Sequence, residues 1–165
     1  MSQSYHSVYH WFDYLKSKGH FILGYVIMPN HFHALLFLSH SGTTLNKMVG
    51  EGKRFMAYDI VNGLKDQNKV NLLKELEAGV TLKEKLKSKN HQVFRPSFDA
   101  RMCFSEKMIE QKLDYIHHNP VRGKWSLVDD FVLYLHSSAA FYEQGEVNTN
   151  VDLVHYKNLN FEKRF

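Results

Sequence analysis

Two apolar runs rich in β-branched and aromatic residues meet at a Pro-Asn step between Gly24 and Leu38, GYVIMPNHFHALLFL, which predicts two strands joined by a tight turn. Side chains alternate faces along the second strand, so His31 and His33 point one way and Phe32 the other. Upstream, Val8, Trp11, Phe12 and Leu15 recur at helical spacing in SYHSVYHWFDYLKSK, and Gly19 is a stop signal; this predicts an amphipathic helix over residues 4–18. Downstream, HSGTT offers Thr43 or Thr44 as N-cap of a helix running to about Leu64. Its expected core face is Leu45, Met48, Val49, Phe55, Met56 and Ile60, and Lys47, Lys53 and Arg54 supply positive charge.

Residues 65–90 are polar and lysine-rich, with enough leucine for one or two short helices, and read as a solvated helical insertion. Residues 91–104, HQVFRPSFDARMCF, have the character of a strand or extended segment broken by Pro96. Ser105 then offers an N-cap to EKMIEQKLDYIHHN, a helix that Pro120 stops. Ile109, Leu113 and Ile116 form its buried stripe. At about 100° per residue, Tyr115 and Asn119 share a face beside that stripe. No internal repeat divides the chain, so a main domain over 1–145 is expected, followed by a polar tail over 146–165 with a basic KRF end.

A hydrophobic content of 44% with 23% charged residues is that of a globular domain. The net charge of +4 leans toward anionic partners such as nucleic acid. A single cysteine, Cys103, excludes a disulfide framework within the chain and a cysteine-based zinc site. The start MSQSYHSVYHWF has no basic segment followed by an apolar one, and no run approaches the roughly 18 apolar residues of a membrane span. A soluble cytoplasmic protein with no membrane partner is the expectation.

Candidate chemistry gathers at two places. His31 and His33 are neutral nitrogen ligands side by side on a rigid strand, although in a chain with 11 histidines such a pair also arises as a solvated strand end. Two ligands rarely hold a catalytic ion. Tyr115 and Asn119 supply a phenol and, one turn on, an amide oxygen; a core-edge tyrosine and a helix-end cap are the ordinary readings of these two. Taken together, the four residues describe a divalent-ion site with a phenol nearby. A phenol of pKa about 10 is a poor nucleophile unless a metal polarises its target. Phosphoryl transfer on DNA is a chemistry that uses such a set.

MPNHFHALL resembles the His-hydrophobic-His (HUH) signature, and YIHHNPVRGKW with HSSAAFY downstream resembles the C-terminal signature of the REP-associated tyrosine transposases, domesticated relatives of single-tyrosine HUH insertion-sequence transposases. The resemblance covers about residues 20–64 and 91–143, and motif order, spacing and the NPV-R-G tail all match. It implies a ferredoxin-like α+β fold, an antiparallel sheet with helices on one face. It also implies His31, His33 and Asn119 as ligands of Mg²⁺ or Mn²⁺. Tyr115 is then the nucleophile that attacks a single-stranded DNA phosphate, forming a 5′-phosphotyrosine link and releasing a 3′-OH. Family members begin with a strand before the first helix, whereas only MSQS stands there in this sequence; a sheet lacking the usual first strand is expected, in a monomer or homodimer.

Lys53, Arg54, Arg95, Arg122 and Lys124 are candidate phosphate contacts, with ordinary surface cations as the alternative, and Trp125 and Phe98 are candidates for base stacking or for core packing. The expected activity is a metal-dependent single-stranded DNA transesterase, a nuclease and strand transferase of DNA transposition acting at hairpin or repeat DNA. A DNA-binding protein that has kept this fold and lost cleavage is the alternative. A metal-dependent hydrolase that uses water in place of the tyrosine is a third possibility.

Overall fold

The element order is α1 (Gln3–Ser17), β1 (Phe21–Ile27), β2 (Phe32–Phe37), α2 (Leu45–Asp66), α3 (Val70–Ala78), α4 (Leu82–Lys85), α5 (Glu106–His117) and α6 (Ala139–Glu143), with short 3-10 turns at Asn119–Val121, Phe131–Leu133 and Tyr156–Asn158. The structure, a computed structural model, describes residues 3–39, 42–95, 98–123 and 126–159. It is α+β, with a two-stranded antiparallel sheet among the described residues. Contacts divide the chain into two units, Met1–Trp11 with Gly42–Ala100 and Phe12–Ser41 with Arg101–Phe165. No helix among the described residues is long and apolar enough to cross a membrane.

Local signals place the helix ends. Gly19 sits at φ +81°, a conformation glycine adopts without a Cβ penalty. There the Gly19 N–H donates to the Lys16 carbonyl at 2.8 Å and the His20 N–H to Leu15 at 3.1 Å, closing α1 with a paired C-terminal cap. Thr44 caps α2 by accepting from the Lys47 N–H, and Ser105 caps α5 by accepting from Met108.

In the first unit, α2 buries Met48, Gly52, Met56 and Val61. Gly52 lies against the Trp11 indole, where a Cβ would run into the ring, so the absence of a side chain lets the two approach. Phe55, expected in the core face, is 55% exposed. It falls about 60° off the centre of the buried stripe at 100° per residue, and the Arg54 guanidinium covers its ring at 5.2 Å. The predicted insertion forms α3 and α4, the latter opened by a Thr81–Glu84 capping box. The described part of residues 91–104 runs without strand pairing.

The second unit is built on the hairpin. The register pairs Val26 with His33 and Tyr25 with Ala34, and Met28 and His31 close the turn through a 2.8 Å bond from the Met28 N–H to the His31 carbonyl. A register shift between Ile22 and Gly24 marks a bulge. Both faces of the hairpin are apolar and both are covered. On one, Phe12 of α1 meets Tyr25 and Phe32 at ring-centroid distances of 5.4 and 6.4 Å. On the other, Ile109 and Leu113 of α5 pack with Leu23 and Leu35, and Ile116 packs with Val26. The two helices therefore flank opposite faces of this hairpin and do not share one, because strands apolar on both sides need two covers.

The outer edge of β1 is closed by chain from much later in the sequence. The Ile27 N–H donates to His136 at 2.8 Å, Ser138 to Tyr25 at 3.0 Å, and Val154 to Ile22 at 3.0 Å. Val151 and Tyr156 are buried. Lys16 pairs with Asp152. The expected tail is thus packed onto the sheet as far as Leu159; its basic KRF end lies outside the described residues.

Candidate functional site

β2 presents His33 on the face that α5 covers, and α5 is held there by close approach. At Gly24 of β1 a Cβ would collide with the Leu113 side chain, so a residue without one lets the helix settle on the strand. Leu113 lies two residues before Tyr115, and this seating brings the Tyr115 ring edge to face with His33, at 5.3 Å between centroids and 75° between planes. The His31 and His33 rings stand 5.1 Å apart at 79°. Three of the four sequence-predicted site residues are therefore in one ring-to-ring chain.

Each member has a defined environment. Tyr115 is 50% exposed, so its phenol is open to a substrate. His31 is exposed, and its Nδ1 lies 2.6 Å from Asn30 Oδ1; when Nδ1 donates to that amide oxygen in the neutral ring, Nε2 is the nitrogen left to meet a metal. His33 is half-buried, and burial, followed by the charges of His31 and Lys112, pushes its pKa below the ordinary histidine value, favouring the neutral ring.

Asn119 begins the 3-10 turn after α5, and its amide nitrogen donates to the Tyr115 carbonyl at 2.7 Å. Its remaining group is Oδ1, an acceptor. No three His, Cys, Asp or Glu side chains among the described residues form a metal-binding group. The side chains here that could ligate a divalent ion are His31 and His33, through imidazole nitrogens, and Asn119, one helical turn beyond Tyr115, through its amide oxygen. That donor set suits Mn²⁺, and the harder Mg²⁺ less well.

The predicted cationic residues fall in different units of the chain. Lys53, Arg54 and Arg95 belong to the first unit, where Lys53 Nζ donates to the Arg95 carbonyl at 3.0 Å and lies 5.7 Å from the Phe98 ring centre. Arg122 belongs to the second unit and is turned toward Asp114, with nitrogen and oxygen 3.8 Å apart. Lys124 and Trp125 lie outside the described residues.

Sequence reasoning passed over Lys112, whose charge reaches His33, although its place three residues before Tyr115 on a helix is a readable signal. It also passed over His117, the last residue of α5, which is buried. The His117 Nε2 lies 2.8 Å from Ser138 Oγ, and the same hydroxyl accepts the Tyr25 N–H at 2.9 Å, tying α5 to the β1 edge. No protein-family model, curated protein or solved structure matches the chain.

Proposed function

We propose that this protein is a metal-dependent single-stranded DNA transesterase of the REP-associated tyrosine transposase type, cutting and joining hairpin or repeat DNA through Tyr115. The observation that carries the reading is the 5.3 Å contact between His33 and Tyr115, which sets a solvent-open phenol beside a neutral imidazole of a histidine pair. In this reading His31, His33 and Asn119 hold Mn²⁺ or Mg²⁺, which supplies Lewis-acid polarisation of a phosphoryl oxygen. The Tyr115 oxygen attacks phosphorus, the bond from phosphorus to the 3′ oxygen breaks, and the phenolic proton passes through solvent to the departing 3′-OH. A 5′-phosphotyrosine remains, and a free 3′-OH attacking it reverses the exchange or joins a new strand. A ferredoxin-like sheet that lacks the usual first strand is part of the same proposal.

The deciding experiment is a denaturing gel of the protein with labelled single-stranded hairpin DNA, with Mn²⁺ or with chelator, wild type beside Tyr115→Phe. A slow-migrating covalent band that needs metal and vanishes in the variant is the expected result. Cleavage undiminished in Tyr115→Phe makes water the nucleophile and sinks the proposal. Hairpin binding with no band assigns the chain to the class of DNA binders that have lost cleavage.

A further inference from the structure

The charges on α5 are segregated by face. Glu106, Glu110 and Asp114 recur every fourth residue and form one stripe, where Glu110 accepts the Tyr156 hydroxyl at 2.8 Å and Asp114 pairs with His118 at 3.1 Å. Lys112 and Tyr115 fall within about 60° of each other, and their face, with Asn119, is centred about 170° from the acidic stripe. Lys112 is exposed. Its neighbours one turn away on the helix are Met108, Ile109, Tyr115 and Ile116, none of them acidic. The face of α5 that carries the phenol is thus free of the helix's own acidic residues, and it carries the exposed ammonium of Lys112.

We propose that Lys112 is a phosphate-binding residue of this site, its ammonium holding a non-bridging oxygen of the phosphodiester that Tyr115 attacks. The assignment rests on the transesterase reading for the identity of the phosphate. A flexible four-carbon stem and a compact charge suit a group that must follow a phosphate from the diester to the phosphotyrosine. Acids on this face would repel the same substrate, and the sequence places them on the other.

The test uses the full chain, a fluorescent single-stranded hairpin oligonucleotide and Mn²⁺, with Lys112→Gln, Lys112→Arg and Tyr115→Phe beside the wild type. Dissociation constants are measured over a range of salt, and covalent adduct is followed by denaturing gel. Lys112→Gln is expected to lower the slope of log affinity against log salt by about 0.7, one single-strand phosphate contact, and to slow adduct formation on the order of tenfold or more. Lys112→Arg keeps the slope, and Tyr115→Phe keeps it while losing the adduct. A Lys112→Gln protein with the wild-type slope and adduct rate overturns the assignment. If the wild type binds the oligonucleotide without any adduct, the transesterase reading fails by itself, and the slope alone decides Lys112: a fall supports a phosphate contact, an unchanged slope overturns it. A wild type that binds no oligonucleotide overturns both.

Discussion

His33 and Tyr115 meet edge to face with ring centroids 5.3 Å apart, one on a strand and the other on a helix far along the chain. The contact exists because Leu113 seats α5 at Gly24 and because Ile116 packs on Val26, the register partner of His33. What the pair does chemically follows from its two environments: the phenol is open and the imidazole is half-buried.

That half-burial makes His33 the stronger candidate ligand of the histidine pair. Burial first, then the charges of His31 and Lys112, lower its pKa, so its ring sheds its proton at a lower pH than an ordinary histidine. In metal-free protein the His33 ring titrates, by NMR, with a midpoint below the usual value of about 6.5. Mn²⁺ is expected to broaden the His33 and Tyr115 ring signals together, and His33→Ala to weaken Mn²⁺ binding at least tenfold, as loss of a direct ligand should. Broadening that spares both rings would remove the metal from this place.

His117 makes stability depend on pH. Burial, with a lesser push from His118 and an opposing pull from Asp114, brings its pKa down to about 4. The unfolded chain takes up this proton below about 6.5 and the folded one only near 4, so the unfolded state binds more protons between the two. Stability is then full above 6.5 and declines as pH falls toward 4, by on the order of 3 kcal/mol from this residue. Urea unfolding at pH 7.5 and 4.5 of wild type and His117→Gln checks it: the variant should lack this share of the decline. Equal declines in the two proteins would show that His117 is not its source.

Gly24 and Leu113 are coupled by the close approach of β1 and α5. A methyl at Gly24 meets the Leu113 side chain. Gly24→Ala is therefore expected to cost about 1–3 kcal/mol of stability through overpacking. Because Leu113 and Tyr115 share the helix, adduct formation should fall with it. Leu113→Ala in the same chain removes the obstructing atoms, and the double variant should be more stable than the sum of the two single losses predicts. Strict additivity in denaturant unfolding would mean that the contact does not limit the packing here.

Much of this fold is legible in the sequence because its signals are local. The turn between β1 and β2, the Gly19 stop, the Thr44 and Ser105 caps and the Ile109–Leu113–Ile116 stripe each depend on residues within a few positions of one another. The same holds for Tyr115 and Asn119, one helical turn apart and joined by a side-chain bond back to the helix. Phe55 was misplaced because apolarity alone does not say which edge of a broad stripe is buried, and Arg54 stacking on it needs no core. Residues 146–159 looked like part of a tail because their polar composition hides Leu153 and Tyr156, whose partners stand on β1, α5 and α6.

By itself, then, the sequence determined the elements, their caps and the pairs of chemically apt residues on one strand and one helix, since backbone geometry repeats every two or 3.6 residues. Tertiary structure decided which of those pairs meet. Placing α1 and α5 on opposite faces of the hairpin, closing the β1 edge with residues 136–138 and 153–154, and setting Tyr115 against His33 all depend on contacts between distant segments. Such contacts form when apolar faces find covers of matching shape, and no short window of sequence holds both the face and its cover.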